Sequence, residues 1–503
     1  MLASFLPVSA APGEDKGNML RGLAVEVGRV LGAASACPSV ARPRIGAISA
    51  RITAIIQSSQ ADPDETAAIF ELLNNSQTEG SRSVGARLMD CTAVERQLAD
   101  LEKISAPGVQ DTAPGSARPI AFAGRAAAGA VRGITANEIV FGISAPLTGS
   151  ARDLGLQMRT GIETAFNAQN DDGGVNGRTL RLAAADDGYE PTRTAETIKD
   201  LYERERIFGF IGNVGTPTAV VAAPFALEHR MLFFGAFTGA DILRREPPDR
   251  YVFNYRASYA EETAAAVNYL VKVRKIRTDQ IAVFAQQDSY GDAGFNGVMA
   301  AMRTLRGGDG GYVLRLGYQR NTMDVDNALA QLKAYKAPIK AVVMVPTYRA
   351  AAKFIEKTKD AYPGLIYTNV SFVGSTALKD ELMLLGGQYA AGVIVTQVVP
   401  ALDCYSSLVL QYKSALERYF PSEAPNYVSF EGYVGAQIMI EAVKVAGPQP
   451  DTEKVVDALE NMHGFDLGLG AFINFGRSEH QGSHKVWGTQ LSESGKYEPI
   501  DLQ

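Results

Sequence analysis

The sequence predicts an α/β protein built from two parallel-sheet units in tandem, preceded by a small all-helical segment. Three observations predict it. From Ile134 onward, short apolar runs alternate with stretches of helical period, the pattern of parallel strands joined by right-handed helical crossovers. Residues 17–104 carry apolar positions at helical spacing only. Between the two, the composition changes abruptly to Ala, Gly and Pro over Ser105–Gly133, which marks a flexible linker (residues 105–136) and a domain boundary.

Met19–Ala34 opens the helical segment with Leu20, Leu23, Val27, Val30 and Leu31 at helical intervals. Ile45–Ile56 continues it, Asp62-Pro63-Asp64-Glu65 starts a further helix with acids in its first turn, and Arg82–Leu101 completes the set. Of three cysteines, Cys37 and Cys91 fall in this segment and could pair in an oxidising compartment, leaving Cys404 over. No chemistry is visible here, and the segment reads as an interaction or spacer module. Residues 1–16 end in Val8-Ser9-Ala10, a small-residue cleavage pattern after a short apolar core, and predict export. They lack a basic start, so either the signal begins upstream of Met1 or the stretch is not a signal.

In the α/β part, strands are expected at Glu138–Ile143, Thr179–Ala185, Ile207–Ile211, Met231–Gly235, Gln280–Ala285, Gly311–Tyr318, Ala341–Val345 and Ser371–Val373. Gly155–Asn170, Thr192–Glu205 and Glu261–Val273 read as helices between them. Ligand-facing loops belong at the carboxyl ends of such strands.

The stretch Arg206–Phe225 is the most informative. An apolar strand runs into Gly212 and Gly215, and Thr216-Pro217 then gives a helix start, threonine at the N-cap and proline in the first turn. Free amides of a helix N-terminus hold anions such as a carboxylate, and the Thr216 and Thr218 hydroxyls are placed to help. The plainer reading is an ordinary capped strand–helix junction.

Other classes find little support. The net charge is −6 with basic residues scattered, which gives no footprint for nucleic acid or an anionic membrane. No apolar run reaches the ~18 residues that span a bilayer. No cofactor or metal site is expected: cysteines and histidines lack ligand spacing, and His480 and His484 read as a surface loop. The glycine spacing Gly209-x-x-Gly212-x-x-Gly215 is not a dinucleotide fingerprint, and neither a phosphate-loop lysine nor a nucleophile elbow is present. No catalytic residue is expected.

The strand-end loops carry Ser144-Ala-Pro-Leu-Thr-Gly149, Gly173-Gly-Val-Asn-Gly177, Gly212-Asn-Val-Gly-Thr216, Gly235-Ala-Phe-Thr-Gly239, Asp288-Ser-Tyr-Gly291 and Glu431-Gly-Tyr433. In this order they resemble the type I periplasmic solute-binding proteins of ABC importers, the leucine/isoleucine/valine-binding family, from about Asn137 to the end. The resemblance implies two doubly wound lobes joined by hinge strands within residues 137–503. The first would hold about 137–256 and 395–470, and the second about 260–392 and 473–503. It further implies a non-enzymatic, monomeric, periplasmic protein that closes by hinge motion on a small carboxylate- or amino-acid-like solute and passes it to the membrane permease. A soluble sensor or regulator on the same fold is the alternative.

The resemblance places the ligand site at Val214, Gly215 and Thr216, at Ala236, Phe237 and Thr238, and at Tyr290, Tyr348 and Ser375. Thr216 and the Ala236–Thr238 loop would grip the carboxylate, and the two tyrosines would close over it. The pattern departs at Ser375, where amino-acid binders of the family carry the acid that holds the ligand's ammonium. It departs again near Leu154, where a tyrosine is usual. Asp288 and Glu431 are the nearby acids, and both read as loop and helix-start structure. The ligand expected is therefore a carboxylate without a free ammonium.

Overall fold

The computed structural model describes residues 131–502, together with a subset of positions between 24 and 98. The expected signal remnant, the Asp62–Glu65 helix start and most of the linker lie outside the described residues. The chain divides into two units, Met1–Ala123 and Gly124–Gln503.

In the first unit residues 27–36 are helical, as are shorter stretches within 44–49 and 69–78. Val27, Leu31, Ile52, Ile69, Leu73, Val94 and Leu98 pack into one core. Cys37 and Cys91 form a disulfide, their Cα atoms 5.7 Å apart across a separation of 54 residues. Closing such a loop stabilises by about 3–5 kcal/mol in the chain-entropy picture.

In the second unit, strands and helices alternate as the periodicity predicts. The first sheet comprises β1 (Glu138–Ala145), β2 (Thr179–Asp186), β3 (Gly209–Ile211), β4 (Leu232–Phe234) and β5 (Val252–Phe253), all parallel in the order β2-β1-β3-β4-β5. Helices α1 (Arg152–Asp171), α2 (Pro191–Glu203) and α3 (Thr216–Glu228) connect them. The chain then enters the second lobe through α4 (Tyr259–Asn268), which a single π turn extends over Tyr269–Val273.

There β6 (Ile281–Gln286), α5 (Ser289–Arg306), β7 (Leu314–Tyr318), α6 (Asp326–Ala334), β8 (Ala341–Val345), α7 (Tyr348–Lys359), β9 (Ile366–Asn369), α8 (Ser375–Leu385), α9 (Gly387–Ala390) and β10 (Ile394–Gln397) follow. Helices α10 (Ser407–Tyr419), α11 (Tyr427–Val445) and α12 (Thr452–Glu460) come next, before β11 (Trp487–Leu491) and β12 (Tyr497–Ile500). The second sheet has the order β12-β11-β10-β9-β8-β6-β7. β11 and β12 are antiparallel additions at its edge.

Two differences from the sequence reading have clear causes. Ser371–Val373 is a 3₁₀ turn, and the strand is Ile366–Asn369 just before it. The Ser371 amide and hydroxyl are held by Glu262, which bends the apolar run away from the sheet. β10 pairs with β9, so the second sheet extends through Gln397, past the boundary expected near 395.

The lobes are linked by three adjacent crossings. Asn254 follows β5, and its amide donates to the His480 carbonyl at 2.8 Å; its own carbonyl accepts from the Gly482 amide at 2.8 Å. The Tyr255 hydroxyl donates to the Val398 carbonyl at 2.8 Å, tying in the third crossing. His480, expected in a surface loop, is buried here: its ring stacks on Phe253 at 3.8 Å and Nδ1 lies 2.9 Å from the Val252 carbonyl.

α11 returns to the first lobe and packs along α1. Their approach depends on glycine, since a Cβ on Gly161 would overlap the Ser429 carbonyl and one on Gly432 would meet the Met158 backbone. Gly161→Ala gains about 1 kcal/mol of helix propensity, but overpacking costs about 1–3 kcal/mol or more. A net loss of stability is expected in urea unfolding. Unchanged or higher stability would show that the helices separate without penalty.

Candidate functional site

The site grows from the carboxyl ends of the first sheet. After β3 the chain turns at Gly215, whose φ of 108° no ordinary side chain adopts, and whose missing Cβ makes room for the Tyr189 ring. This turn comes one residue earlier than the sequence suggests. Gly215, not Thr216, is the N-cap, and no side chain caps α3. The Thr216 hydroxyl is thereby released to meet the Thr238 hydroxyl at 2.6 Å. Thr218 is different: its hydroxyl donates to the Val214 and Gly215 carbonyls of its own turn and cannot assist a ligand.

The loops after β3 and β4 are zipped together. The Phe237 amide donates to the Asn213 carbonyl at 2.8 Å, and the Gly215 amide donates to the Phe237 carbonyl at 3.2 Å. Val214, Gly215, Thr216, Ala236, Phe237 and Thr238 therefore form one buried patch.

The second lobe meets this patch with aromatic rings. Phe372, on the 3₁₀ turn after β9, stacks on Phe237 with ring centres 5.0 Å apart and planes 29° apart. Tyr290, in the first turn of α5, lies 4.6 Å from Phe372, with Tyr189 and Tyr259 at 6.1 and 6.4 Å. The Tyr290 hydroxyl donates to the Pro346 carbonyl at 3.2 Å and so belongs to its own lobe. Tyr348, at the start of α7, is buried with its hydroxyl toward Asp153 of α1, and burial followed by that neighbour raises its pKa. Along the rim, Arg320 pairs with Glu190 at 3.0 Å, and Asn321 donates to the Gly188 carbonyl at 3.1 Å. The two lobes are closed on each other.

Ser375 does not join the cluster. Its hydroxyl is engaged with the Gln397 amide at 2.9 and 3.2 Å, and its carbonyl accepts from Tyr497. Leu154 lies against Gly374, where a Cβ would meet it.

Beside the rings is a buried ion cluster that the sequence reading missed. Arg256, in the first crossing, pairs with Glu262 at 2.9 Å and with Glu431 at 3.4 Å. Its guanidinium lies 5.0 Å from the Phe237 ring centre and also donates to the Ser371 hydroxyl. Glu262 is saturated, accepting from Arg256, from the Ser371 amide (2.8 Å) and hydroxyl (3.0 Å), and from Thr396 (2.5 Å). Asp288 caps α5 through the Tyr290 amide and pairs with Arg320, in keeping with a helix-start residue. Glu431 does not fit that description: it sits inside α11, buried against Arg256. Two buried donors here lack a hydrogen-bond partner, Asn213 Nδ2 and Arg256 Nε, while the Tyr259 hydroxyl lies against Thr238 and the Tyr348 hydroxyl against Asp153. Both unpartnered groups are donors.

Burial pushes the Glu431 carboxyl up to about 7; Arg256 opposes the shift and Glu262 adds to it. The folded state therefore holds a proton that the unfolded chain releases near 4.5, so this group's contribution to stability falls as pH rises from about 4.5 to 7. Arg244, the next cation, acts on the same group in the lowering direction. Glu431→Gln removes this titration while leaving Arg256 paired with Glu262. The variant is expected to gain about 1–3 kcal/mol relative to the parent between pH 5 and pH 8, read from denaturant midpoints at both. A constant difference would place the Glu431 titration outside this range.

A family model described as "periplasmic binding protein" matches residues 138–496. The chain belongs to this family, as a type I periplasmic binding protein of the leucine/isoleucine/valine-binding group. The first unit lies outside the match. Among solved structures, the chain is similar to a possible leucine/isoleucine/valine-binding protein of Rhodopirellula baltica SH 1, 39% identical with a TM-score of 0.69, over 75% of this chain and 98% of that one. A substrate-binding periplasmic protein of Ralstonia solanacearum is 25% identical with a TM-score of 0.65, over 72% and 100%. Leu/Ile/Val-binding protein homolog 3 of Brucella melitensis biotype 1 is 23% identical over 66% of this chain and 86% of its own length. Members of this family are extracytoplasmic solute-binding proteins rather than enzymes. In this periplasmic binding protein, no helix among the described residues is long and apolar enough to cross a membrane.

Proposed function

We propose that this periplasmic binding protein captures a small carboxylate-bearing solute between its lobes and delivers it to the membrane subunits of an ABC importer. The observation that carries the reading is the pair of buried, unpartnered donors at Asn213 and Arg256, both beside the Phe237 loop that also carries the Thr216–Thr238 hydroxyl pair. An unpaired buried donor costs about 1–3 kcal/mol, and an acceptor-rich anion would relieve both at once.

The acids nearby argue in the same direction. Glu262 is saturated, Asp288 is engaged by the Tyr290 amide and Arg320, Glu431 faces Arg256, Asp153 meets the Tyr348 hydroxyl, and Ser375 is turned to Gln397, so none is offered to an ammonium. The ligand residues in this reading are Val214, Gly215, Thr216, Ala236, Phe237, Thr238, Tyr290 and Tyr348, with Arg256 and Tyr259 added. Relatives named Leu/Ile/Val-binding proteins support a solute of similar size carrying a carboxylate. Periplasmic location and a monomeric state complete the proposal.

A thermal-shift screen of the purified protein against small carboxylates and free amino acids tests it. A ligand at 100 times its Kd adds about 2.7 kcal/mol, a clear upward shift. Stabilisation by leucine, isoleucine or valine but by no simple carboxylate would refute the ammonium-free ligand.

A further inference from the structure

Phe372 has the wrong surroundings for an ordinary core residue of the second lobe. It projects from a one-turn 3₁₀ segment bounded by Gly374 at φ 81°, and its ring is fully buried between the lobes. On one side it stacks on Phe237 of the first lobe; on the other it meets Tyr290 of the second, with Tyr189 and Tyr259 flanking. The unpartnered Arg256 Nε belongs to a guanidinium 5.0 Å from the centre of the same Phe237 ring, and the Tyr259 hydroxyl lies beside Thr238. An aromatic slot thus lies next to a cluster of donors, and one of the chain's own rings fills it. The backbone on which that ring sits is fixed through Ser371 by Glu262, so displacing the ring requires rotation of its side chain.

We propose that Phe372 is a built-in occupant of the interlobe cleft, and that the ligand is a small aromatic carboxylate whose ring takes over its stacking partners Phe237 and Tyr290. This rests on the carboxylate-binding reading and narrows it. Offset and tilted aromatic pairs carry a preference beyond area burial, so an aromatic acid should outbind a saturated acid of the same size by about 3- to 10-fold. Phe372 then also limits ring size, because its displaced ring must find room next to the ligand.

The test is titration calorimetry of the full chain with benzoate, phenylacetate, cyclohexanecarboxylate and 2-naphthoate, on the parent and on Phe372→Ala, each variant first checked for cooperative unfolding. Phe372→Leu serves if the alanine variant does not fold. The proposal expects benzoate or phenylacetate to bind the parent at least 3-fold tighter than cyclohexanecarboxylate, and the Phe372 variant to improve 2-naphthoate relative to benzoate by about 10-fold. Equal or tighter binding of cyclohexanecarboxylate would overturn the aromatic ligand while leaving the carboxylate reading intact. An unchanged naphthoate-to-benzoate ratio in the variant would overturn the role of Phe372. Failure of all four acids would overturn both readings together.

Discussion

Glu262→Ala is expected to destabilise the second unit by about 3–5 kcal/mol, the largest effect of any single substitution considered for this protein. Removing one partner of a fully desolvated ion pair leaves the other charge buried, and the loss reflects that stranded charge more than the attraction itself. Here Arg256 would retain only Glu431, at 3.4 Å and with its own carboxyl pushed up to about 7. The Ser371 amide and the Thr396 hydroxyl would lose an acceptor in the same step. Glu262→Gln should lie between the parent and alanine, since it keeps an acceptor oxygen but not the charge. Urea unfolding at pH 7 reads the series. A loss under about 1 kcal/mol for Glu262→Ala would mean that water enters and solvates Arg256, and that the cluster is not sealed as its burial indicates.

The architecture was legible because its signals are local. An apolar run ending in glycine, followed by Thr-Pro, specifies strand, turn and helix within twenty residues, and β3, the Gly215 turn and α3 stand where that stretch puts them. The one-residue error at the N-cap arose because a hydroxyl 22 positions away competes for Thr216, and nothing in the local sequence reports that. Ser371–Val373 misled in the same way: its apolar character suits a strand, yet Phe372 serves the space between the lobes.

The ion cluster was the least visible part. Arg256 and Glu431 are 175 residues apart, and no spacing motif joins them. A usable signal did exist: a single acid near the start of the long apolar stretch Tyr427–Val434, and a single cation in the aromatic run Phe253-Asn-Tyr-Arg-Ala-Ser-Tyr259. A lone charge in apolar surroundings needs a partner somewhere in the fold. Read that way, each residue points to an unseen counter-charge, though not to each other. Ser375 shows the converse. Its position suggested a ligand contact, whereas Gln397, a residue of β10, determines where its hydroxyl points.

Thr216→Ala is expected to weaken binding of the ligand by about 10- to 150-fold, measured with the acid that gives the largest shift in the carboxylate screen. A hydrogen bond to a charged group contributes about 1.5–3 kcal/mol, and each 1.4 kcal/mol is tenfold in Kd. In the closed structure the Thr216 hydroxyl has one evident partner, the Thr238 hydroxyl at 2.6 Å, and each oxygen can serve as donor or acceptor. A carboxylate arriving between the two loops can accept a hydrogen bond from both hydroxyls, so this pair switches from bonding to itself to bonding the ligand. Alanine removes one donor and also takes one partner from Thr238, which keeps the Ala240 amide, so a modest loss of ligand-free stability, about 1 kcal/mol, should accompany the affinity loss. Thr216→Ser separates the two contributions: it keeps the hydroxyl, and should restore affinity to within a few-fold of the parent. Val214→Ala, on the same turn but without a polar group, should change affinity much less than Thr216→Ala. Equal losses at Val214 and Thr216, or a serine variant as weak as alanine, would show that the turn supports the site by packing and that the hydroxyl does not touch the ligand.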